Sequence, residues 1–323
     1  MPNRKLLFAT AAGLAMGVLA SGAAKAEYPE RPISMIVAAE PGGGTDILAR
    51  TFSPFVEKYL GGASITIINK PGAGTEIGLT AIAKAKPDGY TIGMINVPFV
   101  VAIPIERKAA FNLDSFALMA NLVDDSCAFA VNANSPFKTL ADLVDYAKKN
   151  PGAVTVGTSG VGSDDHFAMV LFEKTTGIKL THVPFASGAP VRAATLGGHI
   201  AVGAFNISET LDYLKEGTIR VLGVMSKQRS ELAPDVLTFK EQGYDVSMSS
   251  QRGMGGPAGI PKDRLDKILS AISQAMKDPD FRAAVKKMNI PLDYMASTEY
   301  EAYLRNMDTQ LQAMWKEDPW KKK

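Results

Sequence analysis

The sequence predicts an α/β protein whose mostly parallel sheets are shared between two lobes. Short apolar runs rich in β-branched residues alternate with longer amphipathic stretches, the pattern of repeated strand–helix–strand units. The chain has 323 residues, enough for two compact units of roughly 100–150 residues each. No polar low-complexity linker divides it, so the units are expected to be intertwined by chain crossings rather than strung in series.

Taken in order, residues 33–38 read as a strand, 46–59 as a helix, 64–68 as a strand, 76–84 as a helix and 91–95 as a strand. The pattern resumes with strand 128–131, helix 140–149, strand 154–157, helix 165–175, strand 179–184, helix 191–196 and strand 201–205. Helix 208–215 and strand 221–226 follow. Beyond Pro257-Ala258-Gly259 the segments 262–277, 279–288 and 298–316 read as helices with hardly any strand signal between them. A helical tail of this kind can close a sheet begun at the N-terminus. The expected division is therefore residues 27–125 plus 245–323 as one discontinuous lobe and 126–244 as the other, with a hinge at the two crossings.

Residues 1–26 follow the plan of a secretory signal peptide. Arg4 and Lys5 precede the apolar stretch 6–20, and small residues lead to Ala24-Lys25-Ala26, with cleavage expected before Glu27. Export to the periplasm is the expectation. No other apolar run reaches the roughly 18 residues of a membrane span. Removing 1–26 takes three of the 35 basic residues and none of the 33 acids, so 32 face 33 and the mature net charge is −1. That balance, without a basic stripe interleaved with aromatics, argues against nucleic acid as a partner. Cys127 is the single cysteine, so no internal disulfide is available and stability must come from apolar burial.

The chemistry is expected in four turn-rich loops, 40–46, 69–75, 158–163 and 185–190, each between a strand and the next helix. Open α/β sheets hold ligands at the C-terminal ends of their strands. Helix starts there expose unpaired N–H groups and a partial positive charge, and glycines let the backbone come close. A carboxylate suits such a site. The run Gly42 to Asp46 lacks the Gly-Lys-Ser/Thr ending of a phosphate-binding loop, and Ile77 stands where the third small residue of a dinucleotide fingerprint belongs. Nucleotide readings are set aside, and no cofactor is expected.

Several ordered motifs resemble a known family. They are Ile36-Val37 through Gly42-Gly43-Gly44-Thr45-Asp46-Ile47-Leu48-Ala49-Arg50, Asn69-Lys70-Pro71-Gly72-Ala73-Gly74, Lys86-Pro87-Asp88-Gly89-Tyr90-Thr91, His182-Val183-Pro184-Phe185, Leu196-Gly197-Gly198 and Pro257-Ala258-Gly259-Ile260-Pro261. Together they are similar to the substrate-binding proteins of tripartite tricarboxylate transporters, the Bug receptors, over essentially the whole mature chain. The resemblance implies a type II periplasmic binding fold with the ligand in a cleft between the lobes. It also implies a small organic acid held by backbone amides and waters, and delivery to integral membrane transporter subunits. Carried onto this chain, it places ligand contacts at Gly43, Gly44, Thr45 and Asp46, at Ala73, Gly74 and Thr75, at Ser159, Gly160, Ser163 and His166, and at Ser187, Gly188 and Ala189.

Departures from the family pattern mark candidate specificity residues. Ala39 replaces an aromatic, Glu40 a proline, Glu76 an asparagine, Phe205 an aspartate, and Gln251-Arg252 a Trp-Phe pair. They suggest a wider, more polar pocket in which Arg252 clamps a carboxylate and Glu40 or Glu76 takes an ammonium or hydroxyl. His166, beside Ser163, Asp164 and Asp165, invites a catalytic reading. Neighbours on one helical turn rarely converge on one atom, so a capping or ligand role is favoured and no catalytic residue is assigned. His182 and His199 carry no zinc-ligand spacing, so no metal is expected, and Cys127 is expected as a small buried residue near the hinge. A monomeric transport receptor is the leading expectation, ahead of a periplasmic enzyme or a sensory receptor using the same cleft.

Overall fold

The computed structural model describes residues 27–317, 319 and 320. The signal-peptide reading of residues 1–26 and the basic run 321–323 lie outside the described residues. The chain begins with β1 (Ile33–Val37), α1 (Gly44–Tyr59), β2 (Ile65–Asn69), α2 (Glu76–Ala83), β3 (Thr91–Val97) and α3 (Phe99–Glu106). Then come β4 (Phe116–Asn132), α4 (Leu140–Lys149), β5 (Thr155–Thr158), α5 (Asp164–Thr176), β6 (Thr181–Pro184) and α6 (Gly188–Leu196). They are followed by β7 (Val202–Asn206), α7 (Leu211–Lys215), β8 (Ile219–Val224), β9 (Ser249–Pro257), α8 (Lys262–Lys277), α9 (Pro279–Lys287), β10 (Leu292–Ala296) and α10 (Ser297–Glu317).

The strands run β2-β1-β3-β9-β4-β7-β5-β6, with β8 and β10 also paired to β4. β1 is parallel to β2 and β3, and β5 is parallel to β6 and β7, so the loops leaving these strands sit at strand C-termini. The 17-residue β4 serves two sheets. As far as Ser126 it pairs with β9, and from Cys127 onward with β7 and β8. The chain recrosses where the Cys127 N–H donates to Met248 O at 2.9 Å, just before β9.

Side-chain alternation explains the layers. In β1, Ile33, Met35 and Val37 pack with Leu48 and Phe52 of α1, Ile272 of α8 and Phe281 of α9, while Ile36 points to the opposite core with Leu79, Ile82 and Val100. The rings of Phe52 and Phe281 meet at 4.8 Å. Full burial of one such ring contributes about 2 kcal/mol. In the second sheet Phe129 of β4 packs with Phe172 of α5 and Phe239 on one face, while Ala130 meets Val191 of α6 on the other.

Four segments differ from the sequence expectation. The helix α3 and the strands β9 and β10 lie where no element was expected, and the first half of β4 extends far N-terminal to the expected 128–131. β9 is glycine-rich because it is crowded: a Cβ on Gly253 would lie 2.4 Å from Tyr300 Oη. Past α10, Trp320 is fully buried, its ring 4.9 Å from Phe167 of α5 and 4.6 Å from Trp315, and its Nε1 donates to Glu106 Oε1 at 2.6 Å. The C-terminal segment therefore ties α3 of one sheet to α5 of the other. Among the described residues no helix is long and apolar enough to cross a membrane.

Candidate functional site

The first loop joins β1 to α1. Gly42, at φ 79°, donates its N–H to Asp46 Oδ2 at 2.8 Å. Asn69 Nδ2 reaches Asp46 Oδ1 at 2.9 Å and Arg50 Nε reaches the same carboxylate at 3.0 Å. Burial pushes the Asp46 carboxyl upward, but the bonds from Arg50, Gly42 and Asn69 outweigh it and hold the pKa below the usual range. Asp46 is thus a buried brace behind the loop, and Thr45 is braced by Asn96 Nδ2 at 2.9 Å. Gly44 is exposed, and a Cβ there would lie 3.3 Å from Arg252 Nη2. A guanidinium against the first turn of a helix brings two positive ends together, an arrangement that calls for an anion.

The second loop, from β2 to α2, holds Gly72, Ala73, Gly74 and Thr75 all at positive φ. Thr75, β-branched at φ 73°, is strained. Arg107 holds the loop from behind, donating Nη2 to Ala73 O at 3.1 Å and Nε to Glu76 Oε2 at 2.8 Å. Ala73 and Gly74 are left exposed.

In the second sheet the loop from β5 to α5 repeats the first. Gly162, at φ 78°, donates its N–H to His166 Nδ1 at 3.2 Å. Ser163 caps α5 by accepting from His166 N at 3.2 Å, and its hydroxyl donates to Gly160 O at 2.8 Å. Ser159 donates both N–H and hydroxyl to Asp165 Oδ2, at 3.1 and 2.6 Å. The His166 ring stacks on His182 at 4.1 Å. With its Oγ directed at Gly160 O rather than the imidazole, Ser163 is not arranged as a nucleophile–base pair with His166. In the loop from β6 to α6, Ser187 and Ala189 are exposed, and a Cβ on Gly188 would lie 3.1 Å from Glu209 Oε2.

Arg252 of β9 stands at the junction of the two sheets, and the acids around it come from distant parts of the chain. Asp125 of β4 is fully buried, 3.5 Å from Arg252 Nη1, and accepts from Ser208 N and the Ser208 hydroxyl. Asp164 Oδ2 accepts from Asn206 Nδ2 at 2.7 Å and from Cys127 Sγ at 3.2 Å. Burial raises the pKa of Asp125, Asp164, Asp165 and Glu209 above ordinary carboxylate values, and Asp165, further repelled by Asp164, is raised furthest. Cys127 Sγ and the Asp164 and Asp165 carboxylates lie within 4.8 Å of one another, a constellation of metal-donor type. Burial pushes the Cys127 thiol up, so a metal there would have to displace its proton as well as the Asn206 bond.

The two lobes meet where Ser208 of the second donates to Asp125 beside Arg252, and where Glu106, 3.0 Å from Arg107, lies so that a Gly162 Cβ would be only 2.6 Å from Oε1. Of the expected contact residues, Gly43, Gly44, Ala73, Gly74, Thr75, Ser159, Gly160, Ser187, Gly188 and Ala189 stand on the loops leaving β1, β2, β5 and β6. Thr45, Asp46, Ser163 and His166 are buried behind them.

The specificity set needs correction. Phe205 is buried in the satellite core with Val191 and Ile200, because strand alternation turns it away from Asn206. Gln251 is buried on the α10 side near Asp124 and Tyr303, and Glu76 is engaged by Arg107. Glu40 is exposed and braces the first loop only through its carbonyl, as does Ala39. Asp125, Asn206 and Glu209 were not anticipated. The one sequence signal was Asp124-Asp125 interrupting an apolar run.

Known proteins share this fold. A family model described as the tripartite tricarboxylate transporter family receptor matches residues 48–317. BugT of Bordetella pertussis is 30% identical over 247 residues, covering 76% of this chain and 74% of its own. A TctC solute-binding protein of Polaromonas, solved without ligand, superimposes with a TM-score of 0.76 at 30% identity over 90% of this chain and all of its own. MatC of Rhodopseudomonas palustris, solved with bound malate, has the same fold, with a TM-score of 0.79 at 24% identity over 88% and 99% of the two chains. The motifs that suggested a Bug receptor, the paired sheets joined through β4 and β9, and a match spanning most of the length agree, and the chain belongs to the tripartite tricarboxylate transporter receptor family.

Proposed function

We propose that this chain is a periplasmic solute-binding receptor that captures a small organic acid between its two lobes and delivers it to membrane transporter subunits. The observation that carries the reading is the meeting at Arg252 of the exposed α1 start with Asp125, which Ser208 of the second lobe holds by its N–H and hydroxyl. Backbone N–H groups and a guanidinium together bind a carboxylate without a dedicated side-chain pocket. The malate seen in MatC supports a small carboxylic acid as the guest.

In this reading the lobes are residues 27–125 with 245–323, and 126–244, and they swing about the switch of β4 between sheets at Ser126 and Cys127. The ligand contacts are the loop residues Gly43 and Gly44, Ala73 to Thr75, Ser159 and Gly160, and Ser187 to Ala189, with Thr45, Asp46, Ser163 and His166 behind them. Export depends on residues 1–26 as a cleaved signal peptide, and the mature receptor acts as a monomer without catalysis. A swing from mostly open to mostly closed requires roughly 5.5 kcal/mol of differential affinity, which contacts from both lobes supply. Calorimetry with a panel of carboxylic acids, with small-angle scattering of the same samples, tests this. Binding with a smaller radius of gyration and unchanged ligand is expected. Failure of every acid to bind, or its chemical conversion, refutes the reading.

A further inference from the structure

The two sides of this cleft carry opposite charge. On one side the α1 start and Arg252 converge, both positive. On the other, the helix starts that could have taken a second carboxylate already carry the chain's own acids. α5 begins with Asp164 and Asp165, and the Glu209 carboxylate lies against Gly188, the first residue of α6.

These acids are not all matched. Asp164 and Asp125 have hydrogen-bond partners, but Asp165, 4% exposed, uses only Oδ2, and its Oδ1 is buried without a partner. The cations facing the group are Arg252, which pairs with Asp125, and Arg192, which lies 5.3 Å over the Tyr213 ring at the rim. A carboxyl oxygen left buried without a partner costs free energy that an incoming donor cation recovers.

We propose that the second-lobe face of the cleft receives a cationic amine, so that the ligand is an amino acid or similar zwitterion with its carboxylate on the α1 side, rather than a dicarboxylate. This rests on the receptor reading above. The ammonium donates to Asp165 Oδ1 and to Glu209, while the carboxylate accepts from the α1 N–H groups and Arg252. The residues concerned differ from Glu40 and Glu76, which the sequence had suggested for such a group. Burial holding these carboxyls toward the protonated form fits a site that ionises when an amine enters.

The test is calorimetry on the mature protein, unfolded and refolded to strip copurified compounds, with matched sets: aspartate, malate and succinate, then 4-aminobutanoate, butanoate and glutarate. At least one amino acid is expected to bind about tenfold or more tightly than its hydroxy, hydrogen and dicarboxylate analogues. Asp165→Asn and Glu209→Gln are each expected to remove that advantage while leaving the melting transition cooperative. The wild-type panel is decisive even if a variant fails to fold. Dicarboxylates binding as tightly as the amino acids would overturn this inference and leave the receptor reading standing. A melting shift with zinc or manganese alone, absent in Asp165→Asn and unmatched by any amine, would overturn it in favour of a metal. Binding of no carboxylate at all sinks both readings.

Discussion

The loops entering α1 and α5 are built to one backbone plan and carry opposite chemistry. Gly42 and Gly162 have φ of 79° and 78°, and each donates its N–H to a side chain four residues on, Asp46 in one lobe and His166 in the other. Gly43 and Ser163 cap their helices with nearly the same dihedrals, φ −74° and ψ 162° against φ −73° and ψ 162°. The next two positions diverge, to Gly44-Thr45 in one loop and Asp164-Asp165 in the other. A shared backbone device sets where the N–H groups point. The side chains at the first turn then decide whether the helix start is open to an anion or already answered by the chain's own acids.

The largest test removes the group between the two halves. Arg252→Ala leaves Asp125 buried without its ion-pair partner, and a loss of about 3 kcal/mol in urea unfolding is expected. Acid binding should fall below detection in the same variant. Next, Gly44→Asp transplants the acid of one loop into the other, where it pairs with Arg252 and competes with the ligand carboxylate. Affinity should fall by roughly 30-fold in calorimetry with little change in stability.

A third test uses pH. Burial raises Asp125, Asp164 and Asp165 from the ordinary 3.8, so above about pH 4 the native state holds protons that the unfolded chain has released. Their contribution is fully present at and below pH 4 and is lost as pH rises through the folded values. Asp278 works in the opposite sense. The Lys58 bond holds it at about 2, so its stability is present above pH 4 and lost as pH falls toward 2. The advantage of Asp165→Asn over the wild type in melting temperature should therefore grow from pH 5 to pH 8. An advantage constant with pH would mean that Asp165 does not titrate in that window.

The smallest effects are at the caps. Ser163→Ala removes a side-chain cap and should cost about 1 kcal/mol, whereas Gly43 makes no such bond and Gly43→Ser should stay within about 0.5 kcal/mol. Equal costs at the two positions would break the comparison.

Where the local pattern was strong, the sequence was enough. Alternation in β1 and the strand–turn–helix loops marked both the sheet and the edge that carries the site. What escaped lacked a local period. α3 is apolar on every side and contains Pro104, so no amphipathic stripe marks it. β9 reads as a glycine-rich loop because its neighbours approach too closely for side chains. The acidic face was invisible for a different reason. Asp125 lies 39 and 40 residues before Asp164 and Asp165 and Glu209 more than 40 after them, and each looks in sequence like a solvated loop or cap charge. Only the switch of β4 between sheets brings them together.

The chain's two tryptophans lie within 4.6 Å of each other at the seam where α3 and α5 are tied together. For the lobe swing proposed above, intrinsic fluorescence is thereby a built-in gauge that needs no label. Any hinge motion that shifts Phe167 or Glu106 against Trp320 changes the indole environment, and stopped-flow emission would time capture and release directly.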